Sequence, residues 1–261
     1  MLKFSDANAK IAALKNVKSL EFYLGLNKKV YSFDLLSGWS CPFADKCLSK
    51  VVDNNGKHTI KDGPNTEFRC FSASQEVAFP SAYKLRRHNF DTLKGLGLGD
   101  MVHLLKDSLP KNAGIVRIHV AGDFFNRDYM MAWYAVAMSN PQILFYAYTK
   151  SLRYMIDIQD KYGALSNFVF TASRGGRDDF LIDKHGLREA VVVFNEEEAY
   201  NKGLEIDHDD SSAADPTKRN QSFALLLHGV QPKGSEASKA LKILKENNVR
   251  HSYSKKRKAL V

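Results

Sequence analysis

Six short runs of β-branched and aromatic residues, each continuous rather than alternating, set the strongest limit on how this chain can fold. They are KVYSFDLL (29–36), GIVRIHVAG (114–122), ILFYAYTK (143–150), NFVFTASR (167–174), EAVVVFNEE (189–197) and SFALLLHGV (222–230). An unbroken apolar run is the mark of a strand buried on both faces, the habit of parallel sheets covered by helices. The segments between them carry helical patterns: AYKLRRHNFDTLK, DYMMAWYAVAMS, LRYMIDIQDKYG and finally SEASKALKILKEN. Repeated βα units predict an α/β fold, a single-domain, TIM-barrel-like partial β/α barrel of about six parallel strands spanning 1–248. An open doubly wound sheet is the alternative. LEFYLGL reads as a hairpin partner of the first run and LEIDHDD as a short extra strand. The turn-rich stretches 51–65 and 208–221 read as long irregular loops.

At 261 residues, 44% of them hydrophobic, the chain can bury one sizeable core. No apolar run approaches the roughly 20 residues of a membrane helix, and MLKFSDANAK has no stretch suited to a signal peptide. The expected location is therefore the cytoplasm, with no membrane partner. The formal net charge is +9, with much of the excess in YKLRRHNF and in the basic C-terminal tail 249–261. Such a balance suits a phosphate-bearing or nucleotide ligand, or nucleic acid, and equally a solvated surface.

In parallel α/β folds chemistry gathers beyond the C-terminal ends of the strands. All six runs end in polar groups: Cys41 and Cys47 follow the first, Gly122 and Asp123 the second, and Thr149 and Lys150 the third. Ser173, Arg174 and Arg177 follow the fourth, Asn195 and Glu196 the fifth, and His228 the last. Asp123 could act as a base, hold an amine, or simply cap a helix. In TASRGGR, Ser173 and Arg174 could meet a ribose hydroxyl, carboxylate or phosphate. IDHDDSSA groups three carboxylates with His208, and Asp209 is a candidate acid or base.

Three cysteines in a reducing compartment point away from structural disulfides. Five residues separate Cys41 from Cys47, and a further 22 separate Cys47 from Cys70 in FRCFSAS. Thiolates are soft ligands, suited to zinc or to iron–sulfur clusters. Three of them could hold three irons of a 4Fe-4S cluster and leave the fourth iron open. Alternatively, with His88 or His58, they would close a tetrahedral zinc site.

The N-terminal NAK, SCPFADKCLSK, FRCFSAS, RHNF, HVAGDFF, YAYTKS, FTASRGG, IDHDDSSA and LLLHGVQPKGSEA together resemble the gene product 88 type family of bacteriophage proteins. The resemblance covers nearly the whole chain and implies a phage protein working in the host cytoplasm; it brings no activity with it. A more distant likeness is to radical S-adenosylmethionine enzymes. In those a three-cysteine cluster loop follows the first strand of a six-stranded partial barrel, and a small turn after the second holds the cofactor's amine. That likeness places the cluster on Cys41, Cys47 and Cys70 and S-adenosylmethionine against Gly122, Asp123, Thr149, Ser173, Arg174, Asn195 and His228. Asp123, Lys150 and Asp209 are the catalytic candidates. The compact cysteine triplet of that family is absent here. The competing expectation is a zinc-stabilised barrel similar to tRNA-guanine transglycosylases, with Cys41, Cys47, Cys70 and His88 as ligands. A third is a non-catalytic nucleic-acid-binding phage protein resting on the charge and the KKRK tail.

Overall fold

The computed structural model describes residues 1–249. In chain order the elements are β1 (Phe4–Asp6), α1 (Ala9–Ala12), β2 (Lys29–Phe33), β3 (Ser49–Asn54), β4 (Lys57–Asp62), α2 (Phe71–Ala78), α3 (Pro80–Leu93) and α4 (Leu98–Ser108). Then come β5 (Ala113–Ile118), α5 (Arg127–Met138), β6 (Leu144–Thr149), α6 (Leu152–Tyr162), β7 (Phe168–Ser173), α7 (Phe180–His185) and β8 (Glu189–Val193). The chain closes with α8 (Glu196–Asn201), β9 (Glu205–Ile206), α9 (Ser211–Ala214), β10 (Phe223–Leu226) and α10 (Glu236–Glu246).

All six apolar runs are strands, and they lie side by side in the order β2-β5-β6-β7-β8-β10, every pair parallel. β9, the extra strand read from LEIDHDD, adds in parallel outside β10. β1 pairs antiparallel with β2 at the opposite edge. The order has no point of reversal among the six, so the doubly wound alternative does not describe it. Nor does the sheet close on itself: β1 and β9 stand at its two edges. Those edge strands are three and two residues long, too short to zip a barrel shut.

Two layers sandwich the sheet, and β5 shows how its sequence feeds both. Val116 and Ile118 enter a cluster with Phe33, Trp133, Phe145 and Met155, on the side of α4, α5 and α6. Ile115 faces the other way and packs with Leu144, Val169 and Phe223 against Ile11 and Leu14 of the N-terminal segment and Ala213 and Ala214 of α9. Both faces are therefore apolar, which is why the strands read as continuous runs.

Two expectations fail. Segment 51–65 is largely an ordered hairpin, β3 paired with β4 through the two-residue turn Asn55–Gly56. Both turn residues have positive φ, 53° and 86°, the backbone that an Asn-Gly hairpin turn requires. LEFYLGL forms turns, and β1 takes the place beside β2 that it was expected to fill. Apart from Val249, the basic tail lies outside the described residues.

Candidate functional site

A cavity of about 190 Å³ opens where the parallel strands end, and Cys41, Cys47 and Cys70 all line it. Cys41 and Cys47 sit on the loop after β2, and Cys70 is the residue before α2. None is in a disulfide, and each is partly buried at the cavity wall. Burial, then Asp123, Cys70 and Cys47, push the Cys41 thiol well up. Burial and Cys47 push Cys70 up to about 11, opposed by the N–H groups of Ser72 and Ala73 at the start of α2. Thiols that raise one another's pKa share a small volume, and a bound cation reverses that cost by taking the thiolates.

The loop that carries Cys41 is fixed from behind. Glu76 of α2, fully buried, accepts from the backbone N–H of Ser37 (3.0 Å) and from its hydroxyl (2.7 Å), and pairs with Arg86 of α3 (3.3 Å). Burial pushes Glu76 up, opposed by Arg86 and Ser37. From the front, Arg177 N–H donates to the Phe43 carbonyl (2.9 Å) and Lys46 N–H to that of Gly175 (3.0 Å). Asp179 accepts from the N–H groups of Gly175 and Gly176, both at 2.8 Å. The SRGG turn thus docks the cysteine loop; its glycines serve backbone packing. Gly122 does likewise: at φ +90°, a Cβ there would meet Ser40 Oγ at 2.6 Å and Leu35 Cβ at 2.8 Å.

Of the residues expected at the site, Gly122, Asp123, Thr149, Lys150, Ser173 and His228 line the cavity. Several are already engaged with the protein. Asp123 accepts from Thr149 Oγ1 (2.6 Å), Phe124 N–H (2.7 Å) and Lys150 N–H (2.8 Å), lacing β5 to β6. Burial raises its pKa, and these bonds pull the other way. Lys150 Nζ donates to Ser173 O, Ser173 Oγ and Arg174 O, all three of its protons spent. His228 stacks on Phe71, ring centroids 4.5 Å apart.

Four expectations are corrected. Arg174 points away from the cavity, to Glu189 and Asp183. Asn195 caps α8 by accepting from Glu198 N–H (2.8 Å). Asp209 accepts from Ser211 N–H (3.0 Å) and does not line the cavity. His88 approaches the Met1 carbonyl (3.0 Å) and His58 stacks on Tyr83, so neither joins the thiols. Among the described residues, no group of three or more His, Cys, Asp or Glu side chains is arranged to hold a metal ion. The four-ligand zinc site does not assemble.

The cavity floor is a buried charge cluster of which the sequence pattern marked only the carboxylates of IDHDDSSA. Lys10 of α1 reaches Asp207 (3.1 Å) and Asp210 (2.9 Å), and Arg117 of β5 pairs with Asp210. Tyr146 donates to the same carboxylate (3.0 Å). Burial pushes Asp210 up, but Arg117 and Lys10 outweigh it and hold it at about 2. Burial and Arg117 push the lining residue His119 down to about 3, so its imidazole is neutral. An arginine inside an otherwise apolar strand was the available signal; nothing in NAK marks Lys10.

A family model described as Gene product 88 matches residues 2–246. The Gene 88 protein of Mycobacterium phage L5 is 29% identical over 122 residues, 43% of this chain and 44% of that protein. The Gene 88 protein of Mycobacterium phage D29 is 27% identical over 122 residues, 43% of each. The matched part thus spans under half the length of these relatives. No solved structure matches the chain. No helix among the described residues is long and apolar enough to cross a membrane.

Proposed function

This chain belongs to the gene product 88 family, and from that premise we propose that it is an iron–sulfur enzyme acting on a small molecule in the strand-end cavity. One observation carries the reading: three unpaired thiols from two separate segments line a single cavity where parallel strands end. A lone zinc ion would need its sulfurs to converge to about 2.3 Å from one point. A four-iron cluster gives each thiolate its own iron, so its ligands can stand apart around a larger body. Three thiols spread over two segments are the donor type and number that such a cluster takes, which supports the cluster over the single ion. When bound, such a cluster supplies one-electron transfer or an open iron at the cavity mouth.

The protein's own part is to hold and enclose. Glu76 and the Gly175–Gly176 turn set the cysteine loop, and Asp123 and Lys150 seal the strand ends beside it. The sequential parallel order of six strands suits a partial barrel with its mouth at the thiols. S-adenosylmethionine fits less well. Gly122, Thr149, Ser173 and His228 line the cavity, but Asp123 already accepts three hydrogen bonds and Arg174 is turned away. Nucleic-acid binding would rest mainly on the basic tail, and strongly salt-dependent retention on DNA is its test.

The test of the cluster reading is a set of single variants, Cys41→Ser, Cys47→Ser and Cys70→Ser, purified without air. Each should keep its circular dichroism and lose most of its iron and its broad visible absorbance. Undiminished iron in all three would remove the reading's basis.

A further inference from the structure

Resting on the reading of this cavity as a small-molecule site, we propose that its floor takes a neutral, nucleobase-sized heterocycle, oriented by the hydroxyl of Tyr148, and excludes anions. The charges around the cavity cancel in place. Lys10 and Arg117 are matched by Asp207 and Asp210, Arg69 lies on Asp62 at 2.5 Å, and the Lys150 ammonium offsets Asp123. Each carboxylate at the floor is further engaged: Asp207 accepts from the N–H groups of Asp210 (2.9 Å) and Ser212 (3.0 Å), and Asp210 from Tyr146. A phosphate or carboxylate entering here would meet no cation left over to balance it among the described lining residues, and burying an unpaired charge is costly.

Two polar groups of the lining are left for a ligand, the Tyr148 hydroxyl and the Nδ1 of the neutral His119, neither with a hydrogen-bond partner among the described residues. Tyr148 lines the cavity, and its hydroxyl is sealed from solvent with no hydrogen-bond partner among the described residues. Its ring is held rigidly, with the Arg117 guanidinium 4.9 Å from its centroid on one side and Phe223 at 6.0 Å on another. Burial pushes the phenol well up, so it keeps its proton and can both donate and accept. The lining also carries the apolar side chains of Val192, Leu225, Leu227 and Phe71. Apolar walls with one fixed hydroxyl suit a flat ring bearing a polar edge. The volume agrees: an engineered cavity of about 150 Å³ accepts benzene, and this one is about 190 Å³.

The test uses the full chain with adenine, cytosine and thymine as probes, and orotate as an anionic pyrimidine of similar size, by saturation-transfer NMR and calorimetry. At least one neutral base should bind, orotate should bind roughly tenfold more weakly or not at all, and inorganic phosphate should not compete. Tyr148→Phe should weaken the base by roughly tenfold while leaving the melting temperature unchanged or raised, because the hydroxyl it removes has no hydrogen-bond partner among the described residues. Tighter binding of orotate, competition by phosphate, no binding of any base, unaltered affinity in Tyr148→Phe, or a clear loss of its stability would each overturn the proposal. Iron content is read separately: a metal-free protein that still binds a base through Tyr148 would refute the cluster and leave the floor site standing.

Discussion

Replacing Asp210 by asparagine keeps the shape of the cavity floor and removes its central negative charge. The carboxylate is fully buried and meets Lys10 at 2.9 Å, Arg117, and the Tyr146 hydroxyl at 3.0 Å. Its pKa is held at about 2 against an ordinary 3.8. At about 1.4 kcal/mol per pH unit, that difference is worth about 2–3 kcal/mol of folding stability. The variant also removes the carboxylate that Arg117 pairs with and leaves Lys10 with Asp207 alone, and breaking a buried pair from one side typically costs about 3–5 kcal/mol. Asp210→Asn should therefore destabilise the protein by about 3–5 kcal/mol at pH 7, read by urea unfolding with circular dichroism and tryptophan fluorescence. The pH dependence has a definite sign. A depressed carboxylate contributes fully above 3.8 and loses its contribution as pH falls toward 2. Asparagine does not titrate, so the gap between the two proteins should begin to narrow below about pH 4. A gap under about 1 kcal/mol at neutral pH, or one that stays flat down to pH 3, would refute the assignment of Asp210 as the keystone of the floor.

Glu76→Gln should cost about 3 kcal/mol or more, since Arg86 is then left buried without its carboxylate; faster labelling of Cys41 and Cys70 by a maleimide in the metal-free protein would show that the loop has loosened. Gly122→Ala should cost at least about 1 kcal/mol, from its positive φ and the 2.6 Å approach to Ser40, and a melting temperature equal to the parent's would contradict the packing described. Arg174→Ala, by contrast, should change stability by about 1 kcal/mol or less and leave iron content and ligand affinity as they were, because its partners Glu189 and Asp183 lie outside the cavity. Loss of ligand affinity in that variant would restore Arg174 to the site.

The parallel sheet was legible because its signal is one of burial. Residues such as Ile115 and Val116 are both apolar since both faces of β5 are covered, and six such runs could be counted directly. The hairpin β3–β4 was lost because VVDNNGKHTIKDG is rich in turn residues, although Asn55–Gly56 is the very dipeptide that closes two-residue hairpins. At the site, the rule of strand ends found the thiols, Asp123, Lys150 and Ser173, all of which line the cavity. It could not tell lining from purpose. Asp123 and Lys150 are polar because they lace adjacent strands together, and Asn195 because a helix begins there. IDHDDSSA marked Asp207 and Asp210 as carboxylates, but Lys10, Arg117 and Tyr148 join them at the floor from distant segments that only the fold assembles.

Metal analysis of the wild-type protein, purified without air or rebuilt with iron and sulfide, puts the cluster to its most direct trial. The account predicts iron and acid-labile sulfide in equal amounts, about four of each per chain, with a visible absorbance that bleaches under dithionite. A colourless protein whose three thiols stay free after reconstitution, or one that carries a single zinc instead, would contradict it.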